Sequence, residues 1–202
     1  MTARDDAADS PTPPLDPGFG RLRDRAVDLL AGWDAPEAGQ DALRADYLAH
    51  LEQHPGACAK AGPPEHLTAG ALVVNAAFTR TALVLHGKGR RWFQPGGHLE
   101  GSDADLASAA LREAQEETGL LELRLDPVPL RLDRHRLEAA FGRCREHLDV
   151  QFLAVTDGVC AVRGSAESDA VRWWPLDALP DDLAVGSLVE AARARLRAGE
   201  PR

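Results

Sequence analysis

Three glutamates stand where they could hold a cation. Glu113, Glu116 and Glu117 fall at i, i+3 and i+4, so on a helix all three carboxylates share one face. At that spacing they repel one another by about 0.2–0.5 kcal/mol per pair unless positive charge lies between them. Glu116 and Glu117 also approach a helix end closed by Gly119, where the macrodipole disfavours negative charge. A solvated acidic face with Arg112 as counter-charge is the plain alternative. The setting argues for more, because the cluster follows a short strand, the turn Gly96-Gly97 and a small loop. Hard oxygen ligands suit Mg²⁺ or Mn²⁺, and a glycine turn lets a backbone carbonyl join them.

The elements that must position these residues are read from periodicity. A helix is predicted over 103–118, with Leu106, Ala110 and Ala114 as its packing face. Two strands joined by a turn are predicted within 67–85, and a short one at 91–94. Further strands are predicted at 128–136, 148–155 and 171–174. A closing helix is read over 188–197, with Ser187 as its cap and Glu190 as the capping-box partner. Strands and helices mix without a regular βαβ alternation. The expected fold is therefore α+β, an α/β/α sandwich around a mixed sheet, and not a Rossmann fold.

Ahead of this body, residues 1–17 have the composition of a disordered tail. Leu22, Ala26, Leu29 or Leu30 and Trp33 then recur at helical spacing, as do Leu43, Tyr47 and Leu51. These two short helices form an N-terminal extension over 18–62, ahead of a main domain over 63–202. Their stripes must be covered either by the body or by a second copy in a homodimer.

Of the 202 residues, 23 are Lys or Arg and 32 Asp or Glu, a net charge of −9. That balance argues against a nucleic-acid partner held by broad phosphate neutralisation. Small anionic substrates remain compatible, since a bound divalent cation reverses the local field. Cys58, Cys144 and Cys160 are too few and too scattered for a disulfide framework or a zinc motif and read as buried, reduced thiols. No apolar run approaches the roughly 18 residues of a membrane span. A soluble cytoplasmic protein without a membrane partner is expected.

Gly97, Arg112, Glu113, Ala114, Glu116, Glu117, Gly119 and Leu120 stand in the order and type of the Nudix box, and the chain resembles the Nudix hydrolase family. Asp103 stands where that pattern has its first Glu, and eight residues instead of seven separate it from Arg112. His66-Leu67-Thr68-Ala69, Trp92-x-Gln94-Pro95-Gly96-Gly97-His98 and His147-x-Asp149-x-x-Phe152 resemble an actinobacterial-type subgroup. The resemblance runs over roughly residues 40–180. It implies the Nudix fold and a metal-dependent pyrophosphohydrolase, cleaving a nucleoside diphosphate linked to another moiety. It implies Mg²⁺ as cofactor, with Mn²⁺ as a substitute, and a small nucleotide-type molecule as partner.

By that resemblance Glu113 and Glu117 are metal ligands, Glu116 a further ligand, and Gly97 a carbonyl donor. Glu113, Glu116 and Arg112 form the catalytic set, with Arg112 orienting a glutamate. Glu100 is an outer ligand or a plain loop carboxylate. Glu167 or Asp169 is a general base or part of an exposed turn. His98 contacts phosphate or orders the loop. Trp92, Phe93 and Trp173 stack on a base or belong to the core. His135, His147 and Asp149 form a polar cluster, structural or substrate-binding. Two other functions compete. One is a Nudix-fold binding or regulatory module without catalysis, which usually has broken glutamates in the box. The other is an isoprenoid diphosphate isomerase, which needs a cysteine in the strand before the box; neither Cys58 nor Cys144 lies there.

Overall fold

The computed structural model describes residues 16–86, 91–137, 143–164, 168–179 and 185–198. The expected tail thus lies outside the described residues except for Asp16 and Pro17, and so does Glu167. Helices α1 (Gly18–Ala31) and α2 (Ala38–Gln53) precede β1 (Glu65–Asn75), β2 (Arg80–His86), β3 (Arg91–Phe93) and β4 (Gly96–His98). Then come α3 (Leu106–Thr118), β5 (Arg124–Arg136), β6 (Glu146–Thr156), β7 (Ser168–Pro175) and α4 (Val185–Ala198). The strands make one mixed sheet in the order β3-β2-β1-β6-β5, with β7 on β2 and β4 on β1.

Strand β1 is the hinge of this arrangement. It pairs with β6 in parallel along its whole length. On its other edge it meets β4 through Thr68, Ala69 and Gly70, and β2 through Val73 and Val74, both antiparallel. Alternate β1 residues face opposite ways. Leu67 and Ala69 join Leu22, Leu30, Tyr47 and Leu106 in one core, and Ala71 and Val73 join Ala114. Leu72 and Val74 face α4 through Val185, Leu188 and Ala192. Helices thus cover both faces, giving the expected sandwich.

Helices α1 and α2 pack on the body, so their stripes need no second copy to cover them. Leu22, Ala26 and Leu30 are wholly buried at i, i+4, i+8. A Cβ at Gly18 would collide with the carbonyl oxygen of Gly101, so α1 starts in backbone contact with the loop before α3. Helix α2 closes the sheet edge at β5. Buried Gln40 donates to the Leu132 carbonyl at 3.0 Å and accepts its N–H at 2.6 Å, and the Tyr47 hydroxyl donates to the Asp133 carbonyl at 2.7 Å.

Several boundaries differ from the sequence reading, and Gly96-Gly97, read as a turn, belongs to strand β4, where both residues pair with β1. Helix α3 begins at Leu106, not 103, because Asp105 takes the N-cap: its carboxylate accepts the Ser108 N–H, and Ser108 Oγ accepts the Asp105 N–H. Ser187 lies inside α4, which is already helical at Val185, and so does not cap it. Strand β5 starts at Arg124, ahead of Pro127 and Pro129, and its register on β6 shifts between Asp126 and Arg131. Proline has no N–H for the ladder, so the pairing breaks there and resumes beyond.

Candidate active site

Two close backbone approaches build the site. Gly70 of β1 and Gly96 of β4 face one another so tightly that a Cβ on Gly96 would lie 2.6 Å from the Gly70 Cα. This lets the three-residue strand β4 lie flat on β1, with its free edge toward α3. The Gly96 N–H then donates to Glu117 Oε2 at 2.9 Å. At Gly97 a Cβ would come within 2.7–2.8 Å of all three carboxylate atoms of Glu113, so the Glu113 carboxylate rests on the bare glycine Cα. Small residues set α3 at this distance. Ala109, Ala110 and Ala114 are fully buried beneath it, and Gly119 ends it in the left-handed conformation at φ 71°.

Arg112 organises the carboxylates. Its Nε and Nη2 donate to the two oxygens of Asp103 at 2.9 and 3.0 Å, a bidentate pair, and Nη2 also donates to the His98 carbonyl at 3.0 Å. Nη1 donates to Glu113 Oε1 at 2.9 Å and to Glu116 Oε2 at 3.3 Å. Hydrogen bonding to Asp103, and then to Glu113, raises the guanidinium pKa above its ordinary range in spite of desolvation. Asp103 has a side chain only 5% exposed, and its Oδ2 accepts the Glu100 N–H. Asp103 thus reaches Arg112 despite the extra residue between them. Glu116 and Glu100 are mainly exposed, and Glu100 Oε1 stays 3.9 Å from Arg112. The carboxylates on this face of α3 offer hard oxygens, a donor set that fits a small divalent cation.

The remaining sequence candidates are placed as follows. His98 does not turn its ring toward the carboxylates. Its ring sits among His66, Cys144 and His147, with burial lowering its pKa to about 4. The ring is packed against the other histidines of the sheet. Trp92 packs edge-on against Trp174, 5.3 Å between centroids, with the Arg172 guanidinium 4.7 Å over its ring. It is half-buried and packs against the core under α4. Phe93 is 38% exposed, and Trp173 Nε1 donates to the Cys160 carbonyl. Asp169 is exposed on β7.

His135 Nδ1 pairs with Asp133 at 2.9 Å, and its ring meets His147 edge-on. Asp149 is buried and accepts from Thr68 and Gln151. Burial pushes its carboxyl above the ordinary range, opposed by His135 and by those hydrogen bonds. A cleft of about 960 Å³ lined by Phe78, Asp126, Val155 and Arg193 lies elsewhere and holds none of the box residues. Sequence reasoning missed two partners. Asp103 was read only as a departure from the pattern, and Cys144 as an isolated thiol, although Cys144-x-x-His147 has the spacing of a paired ligand set.

Comparisons with known proteins agree with this fold. The model of the NUDIX domain matches residues 64–192. An Ap4A hydrolase from C. elegans, solved as a binary complex, is 21% identical, with TM-score 0.53 over 65% of this chain and 98% of that one. The NUDIX domain of Shewanella oneidensis NrtR, complexed with ADP ribose, is 25% identical, with TM-score 0.53 over 75% and 97%. The E. coli dihydroneopterin triphosphate pyrophosphohydrolase is 15% identical, with TM-score 0.53 over 66% and 96%. No curated protein matches the chain. No helix among the described residues is long and apolar enough to cross a membrane. With the family model covering well over half its length, and the box carboxylates gathered by Arg112, this chain belongs to the Nudix hydrolase family.

Proposed function

We propose that the chain is a metal-dependent pyrophosphohydrolase, cleaving the diphosphate of a nucleoside diphosphate linked to another moiety by water attack at phosphorus. The observation that carries this reading is the pairing of Glu113 with Gly97 and of Glu117 with the Gly96 N–H. Glu113 and Glu117 would hold Mg²⁺, or Mn²⁺ in its place, with Glu116 as a further ligand and Gly97 offering its carbonyl. A bound ion would supply charge neutralisation at the diphosphate and a lowered pKa for the attacking water. Arg112 is a positioning residue: it fixes Glu113 and the His98 carbonyl and has its fork occupied by Asp103. Glu116, the exposed member of the three, can turn toward the ion or take the proton of the attacking water.

The names of the similar structures support this substrate class. Ap4A, ADP ribose and dihydroneopterin triphosphate share a phosphoanhydride beside an organic group, and a nucleotide-type small molecule is the partner we assign. All three cysteines are free, with Cys160 exposed and not buried as expected, and free thiols suit the reducing cytoplasm.

The test is formation of phosphomonoester products, read as phosphate released by an added phosphatase that acts on them and not on the substrates, from a panel of nucleoside diphosphate derivatives with Mg²⁺ or Mn²⁺, on the wild type and Glu117→Gln. Glutamine keeps the volume and the acceptor for Gly96 but removes the charge. A loss of about 100-fold or more at unchanged melting temperature is expected. Equal turnover by the variant would overturn the metal assignment. Tight binding of panel members with no release would favour a binding module instead.

A further inference from the structure

We propose that His66, His98, Cys144 and His147 form a second, structural metal site for Zn²⁺ or a similar borderline-soft cation, which pins the strand carrying Gly96 and Gly97 to the sheet. The four residues come from separate places in the chain. His66 stands at the start of β1, His98 ends β4, Cys144 precedes β6, and His147 lies on β6. His66 and His147 are register partners in the parallel pair, and His98 pairs with Thr68, two residues along β1. Alternation puts all three rings on one face.

One donor atom from each residue lies within 4.8 Å of every other. Cys144 Sγ is 3.9 Å from His98 Nε2, and the centroids of the His66, His98 and His147 rings are 5.1–5.2 Å apart. A tetrahedral zinc with bonds of about 2.0–2.3 Å needs ligand atoms roughly 3.3–3.8 Å apart, so small side-chain movements would close the set.

A second observation concerns hydrogen bonding. His66 is fully buried. Its Nδ1 lies 3.1 Å from the Pro63 carbonyl, which can only accept, so Nδ1 carries the proton and Nε2 presents a lone pair. That Nε2 is buried without a partner, and so is the Nε2 of His147. Two buried imidazole nitrogens thus face a space that offers them no hydrogen bond, next to a thiol. A carbonyl holding the distal nitrogen of a histidine is the usual support of a metal ligand. Neutral imidazole is the form that binds metal. On binding, Cys144 loses its thiol proton to solvent and the thiolate joins three neutral imidazoles. Lys60 is a cation that acts on this cluster, and the thiolate offsets half of the charge that a divalent ion adds.

The two sites select different ions. Imidazole and thiolate favour zinc, while the α3 carboxylates favour magnesium. Their link is His98, whose ring would be a ligand and whose carbonyl accepts from Arg112.

The test uses the full-length protein, stripped with chelator, dialysed with Zn²⁺ in excess Mg²⁺, and desalted. Roughly one zinc per chain is expected, with a higher melting temperature than the stripped protein. Co²⁺ in its place should give tetrahedral visible bands and a thiolate-to-cobalt charge-transfer band. Cys144→Ser should abolish that band, and His147→Asn should lower the zinc content, while Glu117→Gln should leave both unchanged. Wild-type protein that retains no zinc and shows no charge-transfer band would overturn the proposal, whatever the variants do. Zinc retained equally by wild type, Cys144→Ser and His147→Asn would overturn it as well, since the ion would then lie elsewhere. Loss of pyrophosphohydrolase activity is not the readout, so the proposal stands or falls apart from the assignment at Glu113.

Discussion

Gly97→Ala isolates the contact on which the active-site reading rests. A Cβ at this position would lie 2.7 Å from Glu113 Oε2, against an ordinary limit of 3.4 Å. The carboxylate must therefore withdraw by about 0.7 Å (3.4 − 2.7), several times the roughly 0.2 Å tolerance of a metal–ligand distance. Misplacement on the order of 1 Å costs about 100-fold in rate, equivalent to about 2.7 kcal/mol of barrier. Folding should be spared. Gly119 is the only glycine with positive φ among the described residues, so position 97 accepts an L side chain. Removing glycine from the unfolded chain can even add about 0.4–1 kcal/mol of stability where no strain results. The assay is kcat/KM at saturating Mg²⁺, a Mg²⁺ titration of rate, and a thermal melt. Gly20→Ala, where a Cβ meets nothing within 4 Å, is the control. Expected are a fall of roughly 30- to 100-fold, a raised Mg²⁺ requirement and an unchanged melting temperature. Turnover within twofold of the wild type at the same Mg²⁺ requirement would refute the placement of Glu113.

Two further predictions address the supports of the site. Arg112→Lys keeps the charge but loses the fork to Asp103, a nearly buried carboxylate; it should cost about 1.5–3 kcal/mol, read as a lower melting temperature, and slow turnover as well. Gln40→Ala leaves both the N–H and the carbonyl of buried Leu132 without their partners. A loss of about 2 kcal/mol or more in urea unfolding is expected, with kcat unchanged because the clamp sits at the far edge of the sheet.

The chemistry of this protein was legible where it depends on short-range spacing. Glu113, Glu116 and Glu117 share a face because a helix repeats every 3.6 residues, and the buried stripe of Leu106, Ala110 and Ala114 follows from the same period. The α1 stripe was equally readable, since Leu22, Ala26 and Leu30 obey one local rule. Less was legible at element ends. There a side chain chooses between competing local bonds, as at Asp105, or prolines interrupt a ladder without ending the strand, as at Pro127 and Pro129.

Partners distant in sequence could not be read at all. Which backbone group meets Glu117 depends on how closely β4 lies against β1, and Gly70 and Gly96 set that only after they are brought face to face. Helix α2 reaches Leu132 across 92 residues. The histidine rings and Cys144 converge because β1 and β6 run parallel in one register and β4 is laid beside them. Periodicity assigns each residue a face of its own element. Long-range strand pairing, whose register depends on burial over the whole sheet, decides which faces meet and therefore which side chains can act together.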